Sequence, residues 1–236
     1  MANLIVAKFG GSALGPDGIT IPEIIKRIIN LKKDSKVIAV FSAPLTMHNG
    51  KKRSLTDVVL EQGKNAENGI TPNLDIVKST YEKILELVDS EYKKDCRTIV
   101  ESHLEIAQKA LNEALENKEF VDEIRSSALA FSGEILISHV MKYVLKSNGI
   151  KTDSVKFDDW PIITDNNIES TNFLTVESRT KMQKTEELVK ENEVVTIGGF
   201  IGKTIDNVTT TYERGGSDRT AADLAILFHK KYETSV

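Results

Sequence analysis

Two β-branched runs with one amphipathic helix between them open the chain, and that order leaves few folds available. Residues 4–9 (LIVAKF) and 37–41 (VIAVF) have the continuous apolar character of strands buried on both faces. Between them, Gly10, Gly11, Gly15, Pro16 and Gly18 make a loop, and a helix follows through IPEIIKRIINLKK. Thr20 and Glu23 have the spacing of a capping box, with Pro22 in the first turn. A strand, a crossover helix and a second strand form a parallel pair, because parallel strands need a connection of that length. The expected fold class is α/β.

The later pattern fits the same class. Residues 43–54 (APLTMHNGKKRS) are polar and basic and read as a loop, with a helix resuming over 55–63. From about 73 to 149 apolar residues recur at helical spacing, and Gly149 is placed to end the last helix. Residues 150–163 read as short strands and turns, and 180–191 as a helix. VVTIGGF, 194–200, is a buried strand running into a glycine turn, and Thr209, Thr210 and Thr211 are strand-like. After Arg214, Gly215 and Gly216 the chain enters a helix that Ser217 or Asp218 can cap, with Ala221, Leu224, Ala225 and Phe228 on one face. The order predicts a three-layer α/β/α sandwich around a mainly parallel sheet, with a helical insertion near 63–131.

Composition removes several function classes. At 236 residues the chain is long enough for a sizeable core, and its formal charge of −4 argues against nucleic-acid or membrane-surface binding. Cys96 is the only cysteine, so neither a disulfide framework nor a thiolate metal cluster is expected. The four histidines, at 48, 103, 139 and 229, show no metal-ligand spacing and read as surface or core residues. No uninterrupted apolar run approaches the ~20 residues of a membrane span, and the N-terminus has no signal-peptide pattern. A cytoplasmic, reducing setting is the expectation.

Three constellations carry possible chemistry. In Lys8-Phe9-Gly10-Gly11-Ser12 a lysine at a strand end faces a glycine loop whose amides can hold an anion. The same residues also suit an edge lysine reaching water before an ordinary turn. Glu134, after Gly133, lies in the first turn of an apolar helix with Ser138 one turn later on the same face, and on its own reads as a carboxylate complementing the helix dipole. In Arg214-Gly215-Gly216-Ser217-Asp218 an arginine able to clamp a carboxylate precedes a glycine turn at a helix start. That turn equally serves as a plain connection. A Walker A loop is excluded for the first, since its lysine precedes the glycines.

Together these segments resemble the amino-acid kinase family and, within it, the aspartokinases. The matches are KFGGS (8–12), FSAP (41–44), LTDVV (55–59), FSGEILIS (131–138), GGFIG (198–202) and TTYERGGSDRTA (210–221), in the family's order. The resemblance implies ATP-dependent phosphorylation of the L-aspartate β-carboxylate to 4-phospho-L-aspartate, at the entry to lysine, threonine and methionine synthesis. It implies that Lys8 balances charge on the phosphoryl group and that Asp218 orients Lys8. Gly10, Gly11 and Ser12, faced by Gly215 and Gly216, would hold the ATP phosphates. Ser42, Thr56, Glu134, Phe200, Arg214 and Ser217 would form the aspartate pocket, with Glu134 near the ammonium and Arg214 on the α-carboxylate. Mg2+ would be held mainly by the nucleotide phosphates, without a dedicated side-chain cluster.

Two departures from the family pattern shape the expectation. An extra loop precedes KKRSLTD, so Thr56 is the choice for the aspartate-site threonine and Thr46 the reserve. The chain also stops at Val236, before the family's segment for adenine and ribose and before its effector-binding ACT domains. Residues 1–236 are therefore expected to be the aspartate-binding part of a catalytic domain, completed by further sequence or by a second polypeptide, in a homo-oligomer. The competing readings are a non-catalytic binding or assembly subunit and a kinase for another acidic amino acid.

Overall fold

The computed structural model describes residues 2–213 and 215–236. The chain begins with β1 (Asn3–Phe9), the short turn of helix α1 (Gly11–Leu14), α2 (Ile21–Leu31) and β2 (Lys36–Phe41). A hairpin follows, β3 (Leu45–His48) and β4 (Lys51–Ser54). The helical part comprises α3 (Leu55–Glu67), α4 (Asp75–Leu85), α5 (Ser90–Asn117), α6 (Asp122–Ser132) and α7 (Glu134–Ser147). The chain then returns through β5 (Thr152–Ser154), α8 (Thr175–Thr180), α9 (Gln183–Glu191) and β6 (Val194–Gly198). It closes with the ribbon β7 (Ile201–Lys203) and β8 (Thr209–Thr211), then α10 (Gly216–Phe228) and β9 (Glu233–Ser235).

The main sheet has the order β5-β6-β2-β1-β9, and each neighbouring pair is parallel. Because side chains alternate along a strand, each central strand feeds two cores. Val37, Ala39 and Phe41 join the core beneath α2 to α7, whereas Ile38 and Val40 join the one with α9, α10 and Trp160. That is the expected three-layer α/β/α sandwich, with the helical insertion between β4 and β5.

Register sets where a ligand can sit. Phe9 lies opposite Phe41, and Phe41 opposite Gly198, so three central strands end level with one another. The ladder continues one step further, with Ser42 N donating to Phe9 O and Gly199 N to Phe41 O. Gly10, Ser42 and Gly199 therefore emerge side by side at the carboxyl edge, where open α/β sheets bind ligands.

The structure corrects several local expectations. Residues 43–54 are not a loop: they contain the β3–β4 hairpin, whose turn is Asn49 and Gly50, both at positive φ (49° and 72°). The Thr20–Glu23 capping box does not form, because the Thr20 hydroxyl donates to Ala13 O at 2.6 Å and Glu23 pairs with Lys26. Helix α10 starts earlier than expected, with Gly215 and not Ser217 or Asp218 as its N-cap, so Ser217 and Asp218 lie inside the first turn. The helix expected over 180–191 is α9, beginning three residues later at Gln183, and Thr180 instead ends the separate short helix α8. The combined stretch Asp122–Ser147 is long and apolar enough to cross a membrane, but its apolar window is 83% buried in the protein and Gly133 breaks it into α6 and α7.

Candidate active site at the carboxyl ends of the central strands

The glycine loop after β1 is shaped around the Lys8 ammonium. A Cβ at Gly10 would lie 3.6 Å from Lys8 Nζ, so the ammonium sits over the start of α1. Gly11 passes so close to β2 that a Cβ there would fall 2.5 Å from Ala43 O. The amide groups of Gly11 and Ser12 begin the one-turn helix and have no partner among the described residues. Unpaired donors beside a cation form a suitable seat for phosphate oxygens.

Helix α10 faces this loop across a gap closed by an ion pair. Lys8 Nζ is 2.8 Å from Asp218 Oδ1, the two side chains being 30% and 70% exposed. One residue earlier, Ser42 Oγ donates to Ser217 Oγ at 2.8 Å. Two turns converge here because glycine permits it. Gly215 has φ 90°, which L side chains resist, and a Cβ on Gly199 would come within 2.6 Å of Ser217 Cβ. Phe200 itself sits at φ 68°, its amide bonded to Thr220 Oγ1 and its carbonyl to Tyr212 N. A non-glycine residue held at positive φ by flanking hydrogen bonds is characteristic of a functional turn.

Glu134 closes the other side. It is 4% exposed at the start of α7, where Oε1 accepts from Ala43 N at 3.2 Å. Burial pushes its carboxyl up to about 7, although hydrogen bonds from the Ala43 and Glu134 amides pull the other way. Tyr81 of α4 lies beneath, donating to Ser132 O and Gly133 O, and its phenol is raised by burial and by the Glu134 charge. A buried carboxyl held only by backbone amides has capacity left for a cation.

The expected site residues do not all meet. Lys8 and Asp218, Ser42 and Ser217, and Glu134 beside Ala43 are in direct contact. Phe200 packs on Gly216, 2.8 Å from where its Cβ would be. Thr56 lies one residue inside α3, whose first amide, Leu55 N, donates to Pro44 O, so that helix start flanks the Ser42 strand end. Thr46, the reserve, is buried with its hydroxyl between Asp17 and Thr80. Arg214 lies outside the described residues. Ser138 does not join Glu134: its hydroxyl turns back to Ile135 O. Ala43, Tyr81 and Thr220 were not singled out from the sequence. Ala43 and Thr220 stand inside motifs quoted above, whereas a lone tyrosine in α4 carries no sequence signal.

Among the described residues there is no group of three or more His, Cys, Asp or Glu side chains able to hold a metal ion. Asp218 alone offers a carboxylate beside the phosphate seat. A lone carboxylate there could supply one oxygen ligand to a hard cation that a phosphate also binds.

The sequence profile of the amino acid kinase family matches residues 3–232, nearly the whole chain. The chain belongs to the amino acid kinase family. Within that family, it is 38% identical over 100 residues to an aspartokinase of Rickettsia felis, covering 42% of this chain and 24% of that protein. It is 24% identical to the chloroplastic bifunctional aspartokinase/homoserine dehydrogenase 2 of Arabidopsis thaliana, over 97% of this chain and 24% of that one. Among solved structures, E. coli aspartokinase III in complex with aspartate and ADP superposes with a TM-score of 0.74 at 20% identity. That match covers 96% of this chain and 47% of the E. coli chain. Clostridium acetobutylicum aspartate kinase gives 0.65 at 20% identity. The amino acid kinase fold is thus shared, and this chain spans about a quarter of the curated relatives and about half of the solved chains.

Proposed function

We propose that the site phosphorylates the β-carboxylate of L-aspartate, with ATP as donor. The observation that carries this reading is the Lys8–Asp218 ion pair, standing where the glycine loop and the start of α10 converge, with the buried Glu134 nearby on the Ser42–Ala43 strand end. Similarity to aspartokinases supports the choice of substrate.

The aspartate β-carboxylate is ionised at neutral pH and needs no general base. One of its oxygens attacks the γ-phosphorus, the bond to the β–γ bridging oxygen breaks, and ADP leaves with that electron pair. The protein positions and neutralises, as in phosphoryl transfer generally. Lys8 offsets charge on the moving phosphoryl group, and Asp218 holds Lys8 in place. Gly10, Gly11 and Ser12 take the phosphate oxygens from one side, Gly215 and Gly216 from the other. Asp218, beside Lys8, would help hold a Mg2+ ion brought in by the nucleotide, which would supply neutralisation of phosphate charge. Glu134 receives the α-ammonium, and Ser42, Thr56, Phe200 and Ser217 line the rest of the pocket. Arg214 is assigned to the α-carboxylate by resemblance alone.

Residues 1–236 are proposed as the aspartate-binding part of a cytoplasmic catalytic domain, with the nucleotide half supplied by further sequence or a partner chain in a homo-oligomer. The test is ATP- and Mg2+-dependent formation of aspartyl hydroxamate by the longest native reading frame. Aspartate-dependent turnover is expected, with Lys8→Ala lowering kcat and Arg214→Ala raising the KM for aspartate. Folded protein without turnover, or with faster turnover of another acidic amino acid, would refute the reading. Calorimetry showing aspartate binding but no nucleotide binding would point to a non-catalytic subunit.

A further inference from the structure

Tyr212 ends the β7–β8 ribbon, and Asp223 lies two turns into α10. Neither belongs to the site described above, yet their side chains meet in the core, with Tyr212 Oη donating to Asp223 Oδ2 at 2.6 Å. Both are buried, at 1% and 6% exposure. The Arg219 guanidinium lies over the tyrosine ring, 5.1 Å from its centroid. A buried aspartate and phenol are costly to desolvate, even with the Arg219 guanidinium beside them. An apolar pair of similar shape would supply comparable packing there, so stability alone gives no reason for them.

What the pair touches suggests its role. A Cβ on Gly216 would lie 2.5 Å from Tyr212 Cβ, so the base of the tyrosine side chain lies directly against the glycine turn. Tyr212 N donates to Phe200 O. Phe200 N in turn donates to Thr220 Oγ1, and that hydroxyl donates to Gly216 O. Gly216 N donates to Glu213 O, and Asp218 N to Gly215 O. The 215–218 turn is therefore tied to Phe200 through the Thr220 hydroxyl and braced by a strut from Tyr212 to the body of α10. We infer that Tyr212 and Asp223 are a positioning pair. Their hydrogen bond fixes the angle at which α10 leaves the glycine turn, and so the placement of Asp218 against Lys8 and of Ser217 against Ser42. The inference rests on the aspartate-kinase reading only for its kinetic consequence.

The test compares wild-type full-length protein with Tyr212→Phe and with the double variant Tyr212→Phe/Asp223→Leu. The phenylalanine keeps the ring, and the leucine removes the carboxylate that would otherwise be stranded in the core. Three quantities are measured: thermal midpoint, hydrogen exchange at the amides of Gly216 and Asp218, and kcat with the KM for aspartate. The single variant is expected to lose both midpoint and turn protection. The double variant is expected to recover the midpoint, while protection of the turn amides stays reduced by about tenfold or more. Its kcat should fall by between about tenfold and a hundredfold, with KM changing much less. A double variant that regains wild-type protection and kcat along with its midpoint would reduce the pair to a packing element and overturn the inference. If wild-type protein turns over no aspartate, the substrate reading falls, and the exchange measurement alone decides the pair.

Discussion

Glu134 is held in a protonation state that its ligand would change. With its carboxyl pushed up to about 7 against an ordinary 4.5, the folded chain keeps a proton that the unfolded chain has released. Stability attached to this group is therefore fully present below pH 4.5 and is lost as pH rises towards 7, by about 3 kcal/mol in all. Glu134→Gln should remove that slope and raise the midpoint of the ligand-free protein above pH 7, while abolishing aspartate binding. Denaturant titrations between pH 5 and 8 would check it. An ammonium beside Glu134 favours the ionised form, so aspartate binding near pH 6.5 should release a fraction of a proton. Calorimetry in two buffers of different ionisation enthalpy reads that number directly. Gly199 tests the opposite face of the site. Gly199→Ala places a methyl against Ser217 and is expected to cost about 1–3 kcal/mol and to break the Ser42–Ser217 contact. A midpoint within a degree of wild type would contradict this.

Between elements, the glycine loop and the β3–β4 hairpin are coupled through Asp17. Asp17 has φ 55°, its amide donates to Leu45 O, and its carboxylate accepts from Thr46 and Lys83. One residue thus ties the loop after β1 to the hairpin and to α4. Asp17→Ala loses two partners and leaves a methyl-bearing residue at positive φ. It should cost about 2 kcal/mol and speed exchange at Asp17 and Ile19 without unfolding the sheet. The sequence was uneven at this scale. The opening β-α-β unit was readable because continuous apolar strands and a 3.6-residue helix have distinct periods. The hairpin was not, because Lys51, Lys52 and Arg53 hide strand periodicity, although Asn49-Gly50 is a strong hairpin signal. Lys8 was legible as a charge within an apolar run. Its Asp218 partner was named only through resemblance, since no local pattern links positions at opposite ends of the chain. Ala43 acts on Glu134 through its backbone and leaves no trace in residue type.

For the molecule as a whole, acid is the expected weakness. His139 Nε2 faces Val155 O, which can only accept, so that nitrogen carries the proton and His139 Nδ1 must accept from His103 Nε2 at 2.9 Å. His103 Nδ1 is then left to face Ser102 Oγ. Burial lowers His103 to about 4 and His139 to about 3, and the neighbouring His103 adds to the depression at His139. Unfolded histidines protonate near 6.5, so the contribution of this pair should fall from that pH downward, by on the order of 5 kcal/mol at pH 4, outweighing the gain of about 3 kcal/mol at Glu134. His103→Gln should flatten that slope in thermal melts at pH 7 and pH 4. The sheet order has a further effect, on the path of folding. β1 is flanked by β2, close to it in sequence, and by β9, where Asn3 pairs with Glu233 at the far end. During synthesis the β1-α2-β2 unit can assemble early, yet one side of β1 stays a bare row of amide and carbonyl groups until residues 233–235 have been made. Glu233, Thr234 and Ser235 then cover it with a short, polar strand. A nascent chain stalled before Glu233 would present that uncapped edge to its neighbours, making aggregation during translation the hazard this topology carries.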